Sequence, residues 1–438
     1  MMERLIDKHL AKWKSSRHRT PLILAGARQV GKTYSLRRFG QDHFDATVIL
    51  DLERNPDWHR LFEGNLEARR ICADLEILSK HKIIPGKTLL FLDEIQACPR
   101  AITALQCFLE EIPELHVAAA GSLLPFAMRD ISLPMGRIQL LHLYPLCFSE
   151  YLRAIGNDRA AEVVLAPPRD TSEAVHHLLC EELRRYFFVG GMPESVNAYA
   201  ETGSIRESFE VQAKICETYR MDFAKYSPQV DKHCLNAVLT AIAQSVGHQI
   251  KYTRLTRDFS SPTIKKAFHL LCQASVVRKV ASADPSGPPL GSTASKKVFK
   301  AIVIDVGLMR HLSGMPTDVE YGKADLLGIY QGATAEQFVG QEMVSSLGED
   351  LYYWSRSARS STAEVDYLTV IDGRITPIEV KSGASGRLKS LHLFLKTYTD
   401  SPWGMVLSTR PYKELSDRSI KLIPLYFAFS ACRGFEDY

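Results

Sequence analysis

Short apolar runs alternate with helix-length segments over the first third of the chain. Apolar runs of this kind, with no polar face, are typical of strands that are buried on both sides of a sheet. The predicted strands lie at residues 21–25, 47–53, 88–93, 116–120 and 139–144. Because helix-length segments separate them, the pattern predicts an α/β domain over residues 1–146, with helices on both faces of a parallel sheet.

Strand patterns stop after residue 146, and helical periodicity takes their place. Apolar positions recur at helical spacing in residues 172–188 and 204–225, which predicts two long helices. The sequence Gly-Gly-Met-Pro at 190–193 interrupts this pattern. We therefore predict a helical lid or bundle over residues 147–250, with the apolar positions in its core.

Residues 251–312 change character again. Two short helices joined by a turn are predicted first, with Ser261 or Thr263 as the cap of the second helix. Strand patterns at 276–280 and 296–304 then predict a long β-hairpin. A helix-turn-helix followed by a hairpin is the organisation of a winged helix. A module of this kind binds DNA or mediates protein contacts, and the sequence leaves both alternatives open.

The last segment, residues 313–438, combines a helix with further strands. The pattern predicts a helix at 333–343 and strands at 351–354, 364–371 and 375–381. We therefore expect a C-terminal α/β domain.

Composition and charge narrow the class of protein. The 438 residues are 45% hydrophobic and 24% charged, with a formal net charge of +4. These values are ordinary for a globular protein and compatible with nucleic-acid contact. The nine cysteines are scattered and never spaced C-x-x-C. This usage disfavours a disulfide framework and a zinc site and favours a reducing compartment.

The chain lacks the sequence features of secretion and of membrane insertion. Its first residues have no apolar signal-peptide core, and there is no run of about 18 apolar residues that could span a membrane. We therefore expect a cytoplasmic protein that does not contact a membrane.

A glycine-rich stretch between the first strand and a predicted helix carries the clearest chemical signal. It follows the pattern G-x-x-x-x-G-K-[ST] with Gly26, Ala27, Arg28, Gln29, Val30, Gly31, Lys32 and Thr33. In such a loop the backbone N–H groups and the start of the helix surround phosphates. Lys32 would then neutralise the β- and γ-phosphates, and Thr33 would hold Mg²⁺. The stretch predicts that the protein binds ATP with Mg²⁺.

Two later strand ends supply the remaining groups that an ATPase needs. The third strand ends in Asp93 and Glu94, which suit a Mg²⁺ partner and a base that polarises water, respectively. Ser122 follows the fourth strand and offers a hydroxyl near the γ-phosphate. The alternative for Ser122 is an ordinary strand-end turn.

These motifs, taken in order, resemble a known family. The chain is similar to the widespread prokaryotic AAA-type ATPases that pair an N-terminal P-loop domain with a C-terminal region of uncharacterised function. The resemblance is carried by residues 26–33, 91–96, 121–122, 136–137, 143–151, 190–193, 364–366 and 378–381. It implies an ATPase fold and ATP binding, and it says little about a biological role.

This resemblance implies a specific role for Arg137, that of an arginine finger. In hexameric ATPases of the AAA class, an arginine finger occupies the corresponding place and reaches the nucleotide of a neighbouring subunit. If Arg137 acts in this way, a homo-oligomer is part of the mechanism. The alternative is a surface or structural arginine. Arg28 and Arg129 are weaker candidates for the same role.

The C-terminal segment carries a second group of charged residues. Asp366, Glu379 and Lys381 are similar to the D…(D/E)-x-K signature of restriction-endonuclease-like domains. A two-residue turn at Asp372-Gly373 would place Asp366 directly opposite Glu379 in a hairpin. Opposed carboxylates repel each other unless a cation bridges them or one of them stays protonated. The hypothesis is a metal ion held by Asp366 and Glu379, with Lys381 beside it.

The same register allows other interpretations of this group. It places Glu364 opposite Lys381, so a cross-strand ion pair with solvated carboxylates is the alternative to a metal site. Pro377 indicates an edge or bulge that would shift the register. If a metal binds, Glu336 or Glu342 from the preceding helix would complete its ligands.

Three functional hypotheses follow from the sequence. The first is a Mg²⁺-dependent ATPase that couples hydrolysis to action on a nucleic-acid or protein partner. The second is an ATP-gated, metal-dependent DNA nuclease. The third is a nucleotide-dependent interaction scaffold that does not hydrolyse ATP.

Overall fold

The chain forms two compact units, Glu3–Tyr144 and Pro145–Tyr438. The computed structural model describes residues 3–124, 136–226, 230–295, 298–314, 331–348, 350–358, 361–381, 388–415 and 419–433. Within these ranges, no helix is both long enough and apolar enough to cross a membrane.

The first unit is a parallel sheet with helices around it. Its helices are α1 (Ile6–Ser15), α2 (Lys32–His43), α3 (Ala68–Ser79) and α4 (Pro99–Glu111), and its strands are β1 (Leu22–Ala25), β2 (Ala46–Asp51), β3 (Thr88–Asp93), β4 (His116–Gly121) and β5 (Gln139–His142). The strands pair in the order β2-β3-β4-β1-β5, and all of these pairs are parallel. The predicted α/β fold with a parallel sheet is confirmed, and each predicted strand ends within two residues of the observed one.

Burial explains why these apolar runs form strands. Every residue of β1, β3 and β4 is buried, so neither face of these strands meets water. Leu90 and Leu92 of β3 belong to a core cluster that also contains Phe62, Leu105 and Phe108. Each buried side chain of this size stabilises the fold by about 1.5–3 kcal/mol.

The second unit begins with helices and ends in a mixed sheet. Its helices are α5 (Phe148–Ala154), α6 (Asp158–Leu165), α7 (Glu173–Val189), α8 (Pro193–Thr202), α9 (Ile205–Tyr226), α10 (Lys232–Gln244), α11 (Tyr252–Leu255), α12 (Ser261–Gln273), α13 (Val306–Ser313), α14 (Gln331–Leu347), α15 (Lys389–Thr397) and α16 (Ala428–Ala431). Its strands are β6 (Val277–Ser282), β7 (Phe299–Val303), β8 (Leu351–Ala358), β9 (Ser361–Ile371), β10 (Arg374–Lys381), β11 (Gly404–Ser408), β12 (Lys413–Leu415) and β13 (Ile420–Pro424). The two long helices predicted from periodicity correspond to α7 and α9.

The Gly-Gly-Met-Pro sequence between α7 and α8 has a packing role. Gly190 has a φ of 69°, and a Cβ at this position would overlap the carboxylate of Asp305. A Cβ on Gly191 would overlap the carbonyl oxygen of Leu146. Asp305 is fully buried and accepts hydrogen bonds from the backbone N–H groups of Gly191 (2.6 Å) and Leu308 (2.9 Å). The two glycines therefore let the backbone come close enough to satisfy a buried carboxylate.

The hairpin that the sequence analysis assigned to a wing belongs to the C-terminal sheet. The strand order of this sheet is β12-β13-β11-β10-β9-β8-β6-β7, and β6 pairs in parallel with β8. The predicted boundary between residues 312 and 313 therefore lies between strands of one sheet. Two short helices do precede the hairpin, but the predicted cap of the second is wrong, because the hydroxyl of Ser260 accepts the bond from the Thr263 N–H.

Candidate functional site

The order of the strands in the first unit brings three sequence motifs to one edge of the sheet. β4 lies between β1 and β3, and these strands are parallel. Their carboxyl ends therefore meet at the same edge, where ligands bind in open α/β sheets. The glycine-rich loop follows β1, Asp93 ends β3, and Ser122 follows β4.

The glycine-rich loop has the backbone conformation that its glycines allow. Gly26 has a φ of 150°, and a Cβ at this position would overlap the carbonyl oxygen of Leu143. Gly31 caps α2 in the left-handed region with a φ of 95°. Gln29 also lies in that region, with a φ of 64°, a conformation that costs a non-glycine residue about 1–3 kcal/mol. Ala27 and Val30 are fully buried and fix the loop on the domain.

Lys32 begins α2 and turns its side chain back into the loop. Its ammonium group donates hydrogen bonds to the carbonyl oxygens of Gly26 (3.1 Å) and Ala27 (2.7 Å), and the residue is 6% exposed. Burial lowers the pKa of Lys32 to about 8, although the nearby carboxylates of Glu94 and Asp93 oppose this shift. The loop thus contains a buried positive charge at the position predicted for phosphate binding.

Thr33 and Asp93 form the pair predicted to hold Mg²⁺. The Thr33 hydroxyl donates to Oδ1 of Asp93 over 3.0 Å, and Asp93 is 3% exposed. Burial raises the pKa of Asp93 to about 6, while the bond from Thr33 opposes the increase. A threonine hydroxyl and a carboxylate are oxygen ligands of the kind that Mg²⁺ prefers. The two residues therefore fit a magnesium ion bound together with nucleotide.

Glu94 is held by two donors from different elements. The residue lies in the left-handed region with a φ of 49°. Its Oε2 accepts a hydrogen bond from the Gln96 amide and another from the Ser122 hydroxyl, the latter over 3.3 Å. Oε1 is the other oxygen of the carboxylate that is predicted to polarise water. Gln96 belongs to the 91–96 stretch that carries the family resemblance, but no role at the site was predicted for it.

The arginines near the nucleotide motifs form ion pairs within the first unit. One guanidinium nitrogen of Arg28, Nη2, donates to both carboxylate oxygens of Glu53, over 3.1 and 2.9 Å. Arg137 has a side chain that is 48% exposed and pairs with Glu110 of α4. Its function as an arginine finger stays a prediction. Arg129 lies outside the described residues.

A further arginine that sequence reasoning missed supports the loop from behind. Arg4 is buried, and its guanidinium donates to the carbonyl oxygens of Val30 (3.0 Å) and Tyr144 (2.7 Å). It therefore ties the glycine-rich loop to the end of the first unit. No local pattern marks this residue, because its partners are distant in sequence.

The predicted C-terminal hairpin has the predicted register. Asp372 and Gly373 have positive φ angles of 50° and 73°, as a two-residue turn of type I′ requires. The ladder pairs Ile375 with Val370 and continues to Ile378 opposite Tyr367. Pro377 lies within this ladder and does not shift the register. The next positions along the two strands are Asp366 and Glu379.

The carboxylates at this end of the hairpin surround a lysine that sequence reasoning did not identify. Lys300 of β7 contacts Glu336 of α14 (2.8 Å), Glu364 of β9 (2.5 Å) and Asp366 of β9 (3.4 Å). Its side chain is 1% exposed. The predicted cross-strand partner of Glu364 was Lys381, but the structure pairs Glu364 with Lys300.

Glu379 and Lys381 form their own pair beside this cluster. The Lys381 ammonium donates to Oε1 of Glu379 over 2.5 Å. Burial raises the pKa of Glu379 to about 7, and the Asp366 carboxylate adds to the increase. Burial likewise raises the pKa of Glu336 to about 8, with Asp366 adding to the shift and Lys300 opposing it.

The two glutamates proposed as further metal ligands have different surroundings. Glu336 joins the cluster through Lys300, whereas Glu342 accepts a hydrogen bond from the backbone N–H of Phe148 over 3.0 Å. Across the described ranges, no group of three or more His, Cys, Asp and Glu side chains is arranged to hold a metal ion. Metal binding by Asp366 and Glu379 therefore stays a prediction.

Comparison with protein families finds a match to the N-terminal part of the chain. Residues 18–152 match a family described as an AAA domain. Residues 180–319 and 331–427 match two families described as domains of unknown function, DUF8612 and DUF4143. No curated protein matches the chain.

Several solved structures are similar to the chain. The Walker-type ATPase of Pyrococcus abyssi matches with 14% identity over 71% of this chain and 96% of the other, at a TM-score of 0.45. The Aeropyrum pernix ORC1 protein, solved in complex with DNA, matches with 14% identity over 71% and 91%, at a TM-score of 0.30. The family match and the loop geometry together identify the N-terminal part of the chain as an AAA-type P-loop domain.

Proposed function

We propose that this protein is a Mg²⁺-dependent ATPase that couples hydrolysis to action on a nucleic-acid partner. One observation carries the proposal: Lys32, Thr33, Asp93, Glu94 and Ser122 come together where three neighbouring strands end. Strand ends that bring a buried ammonium group, a hydroxyl–carboxylate pair and an oriented glutamate together can bind and hydrolyse a nucleoside triphosphate.

Each of these residues has a defined task in the proposal. The Lys32 ammonium leaves the loop carbonyls and neutralises the β- and γ-phosphates of ATP. Thr33 and Asp93 hold Mg²⁺, which when bound offsets the negative charge of the phosphates. Glu94 accepts a proton from the attacking water through the carboxylate that Gln96 and Ser122 orient.

Two substitutions test the assignments. Lys32→Ala should abolish binding of a fluorescent ATP analogue, whereas Lys82→Ala, which removes an exposed lysine of the same unit, should leave affinity unchanged. Glu94→Gln should preserve binding and lower turnover by about 10²–10⁴-fold, the usual contribution of a general base. Unchanged affinity in the first variant or unchanged phosphate release in the second would refute the corresponding assignment.

The nucleic-acid partner is proposed from a basic surface on α11, α12 and the turn between them. Its basic residues, which are all exposed, are Lys251, Arg254, Arg257, Lys265 and Lys266. Asp258 is the acidic residue in this stretch of sequence. Basic side chains clustered on two short helices match the charge of a phosphate backbone.

Binding to a labelled DNA duplex at several salt concentrations tests this surface. Replacing Lys265 and Lys266 with alanine should weaken binding and reduce the salt slope by about 1 for each lost phosphate contact. Exposed Lys80 and Lys82 serve as the control pair. Equal binding by the Lys265/Lys266 variant would exclude this surface, and absence of binding by the wild type would favour a protein partner.

The exposed Arg137 leads to a proposal about assembly. We propose that it leaves Glu110 and acts on the nucleotide of a neighbouring copy in a homo-oligomer. In that case Arg137→Ala should lower ATP turnover without changing ATP affinity, and wild-type activity per chain should rise with protein concentration. Turnover that is independent of concentration and of this substitution would exclude an action in trans.

An ATP-gated nuclease is the second candidate function. It is supported by the hairpin register, which brings Asp366 and Glu379 to neighbouring positions with Lys381 beside them. Plasmid DNA incubated with Mg²⁺ or Mn²⁺, with and without ATP, would reveal cleavage. Cleavage no greater than that of Asp366→Ala would exclude this function. The candidate ranks second because a lysine occupies the centre of the carboxylates.

A further inference from the structure

The cluster at the end of the β9–β10 hairpin contains a cation supplied by the chain itself. The Lys300 ammonium lies 2.8 Å from Oε1 of Glu336, 2.5 Å from Oε1 of Glu364 and 3.4 Å from Oδ1 of Asp366. The lysine projects from β7, a strand whose residues are all buried. Three carboxylates from two other elements therefore converge on one buried ammonium group.

Most oxygens that a metal ion would need are already used. Oδ1 of Asp366 and Oε1 of Glu336 accept from Lys300. Oδ2 of Asp366 accepts from the Val380 backbone N–H over 2.8 Å, and Oε1 of Glu379 accepts from Lys381. A divalent cation requires about six oxygen ligands at about 2.0–2.6 Å. Water can supply some of these ligands, but Lys300 occupies the position from which a cation would reach Glu336 and Asp366 together.

One oxygen of the cluster is buried without a partner. Oε2 of Glu379 has no hydrogen-bond partner among the residues that the structure describes, and the side chain of Glu379 is 7% exposed. A buried carboxylate oxygen without a donor is costly and indicates a place that a cation could fill. The hairpin register puts Glu379 opposite Asp366, at the positions next to the Ile378–Tyr367 pair, so both carboxylates lie at the same end of the hairpin.

The charges show why Lys300 and a metal ion exclude each other. The cluster contains four carboxylates, Glu336, Glu364, Asp366 and Glu379, and two lysines, Lys300 and Lys381. The Lys300 ammonium group lies within 3.4 Å of three of these carboxylates and so already supplies a positive charge at their centre. A divalent ion at Asp366 would lie within a few ångströms of this ammonium group, where like charges repel strongly.

We propose that Lys300 is a built-in cation that keeps divalent metal ions out of this cluster, and that its removal opens a divalent cation site formed by Glu336, Asp366 and Glu379. Lys300 thus takes the position of a metal ion among these carboxylates, and the cluster binds no divalent cation while this lysine is present. The proposal does not depend on the ATPase function, because the residues involved all belong to the second unit.

Manganese binding to the nucleotide-free full chain tests the proposal, with electron paramagnetic resonance as the measure of free Mn²⁺. Lys300→Met should bind one more Mn²⁺ per chain than the wild type, with at least tenfold higher affinity at the new site. The added Mn²⁺ should be lost in the double variant Lys300→Met/Glu379→Gln. Lys381→Met is the matched control, since it removes the other lysine of the cluster and should add no Mn²⁺.

Two results would overturn the proposal. The first is Mn²⁺ binding by the wild type that disappears in Glu379→Gln, because such binding would show that Lys300 does not exclude metal ions from the cluster. Mn²⁺ bound at the glycine-rich loop would persist in Glu379→Gln, so the two sites can be distinguished. The second is a folded Lys300→Met protein, verified by circular dichroism, that binds no more Mn²⁺ than the wild type. If Lys300→Met does not fold, Lys300→Gln/Glu364→Gln removes one charge of each sign and keeps the three proposed ligands, and the same two outcomes decide.

Discussion

Gln96 offers a direct test of how the glutamate at the nucleotide site is oriented. Its amide donates a hydrogen bond to Oε2 of Glu94, and the Ser122 hydroxyl donates to the same oxygen over 3.3 Å. We predict that Gln96→Ala leaves the Glu94 carboxylate free to rotate away from the attacking water. Turnover should fall, whereas ATP affinity should not, because Gln96 has no contact with the glycine-rich loop among its hydrogen bonds in the described residues.

The magnitude follows from the lost contact. A hydrogen bond to a charged group contributes about 1.5–3 kcal/mol, and about 1.4 kcal/mol corresponds to a tenfold change in rate. Because Ser122 still holds Glu94, the loss should lie toward the lower part of this range, and kcat should fall about 10- to 100-fold. The free energy of unfolding should change by less than about 1 kcal/mol. Within the described part of the chain, Oε1 of Gln96 is a buried acceptor without a hydrogen-bond partner, so its removal offsets part of the loss.

Steady-state phosphate release over a range of ATP concentrations measures the effect. The expected result is a reduced kcat with KM for ATP unchanged within about twofold, which marks an interaction that matters in the transition state. Gln244→Ala, at an exposed position of α10, is the matched control and should behave as the wild type. A Gln96→Ala enzyme with wild-type or higher kcat would refute the positioning of Glu94 by Gln96.

Three further predictions concern pH and stability. Mg²⁺-ATP binding should be strongest between pH about 6 and about 8, because Lys32 loses its proton above this window and Asp93 gains one below it. Outside the window, the affinity should fall about tenfold per pH unit. Calorimetric affinities that stay constant from pH 5 to 9 would contradict this prediction. Arg4→Ala should lower the free energy of unfolding by about 3 kcal/mol in urea titrations, since the carbonyl oxygens of Val30 and Tyr144 lose a charged donor. Arg4→Lys should lower the free energy of unfolding by less. Asp305→Ala should also lower the free energy of unfolding by about 3 kcal/mol, because two buried N–H groups lose their acceptor. An unchanged urea midpoint in the Arg4→Ala or the Asp305→Ala variant would contradict the corresponding prediction.

The local features of this chain could be predicted from the sequence because local physics produces them. Apolar runs such as Thr88–Asp93 form strands wherever both faces can be buried. The Asp372-Gly373 pair requires a turn with positive φ angles, and this turn sets the hairpin register. The spacing of Gly26, Gly31 and Lys32 is likewise determined by the loop itself, so the AAA-type domain could be recognised before its fold was known.

Some predictions failed where a nearby alternative had similar local energy. The sequence predicted Ser261 or Thr263 as the cap of α12, but Ser260 is the cap in the structure. Serines at adjacent positions suit a cap equally well, so the residue at which the helix starts decides between them. Similarly, Lys381 was the predicted ion-pair partner of Glu364, whereas Lys300 is its partner in the structure. Cross-strand geometry favours the first, and the packing of β7 in the same sheet decides for the second.

The tertiary structure alone determined which distant residues meet. Strand order placed β4 between β1 and β3, so that Ser122 reaches Glu94, and no pattern within either segment encodes this neighbourhood. The inclusion of β7 in the C-terminal sheet brought Lys300 among carboxylates that are between 36 and 66 positions away. Contacts of this kind depend on how buried surfaces fit together across the whole chain. Sequence periodicity reports which face of an element is buried, whereas the choice of partner for that face is made by packing.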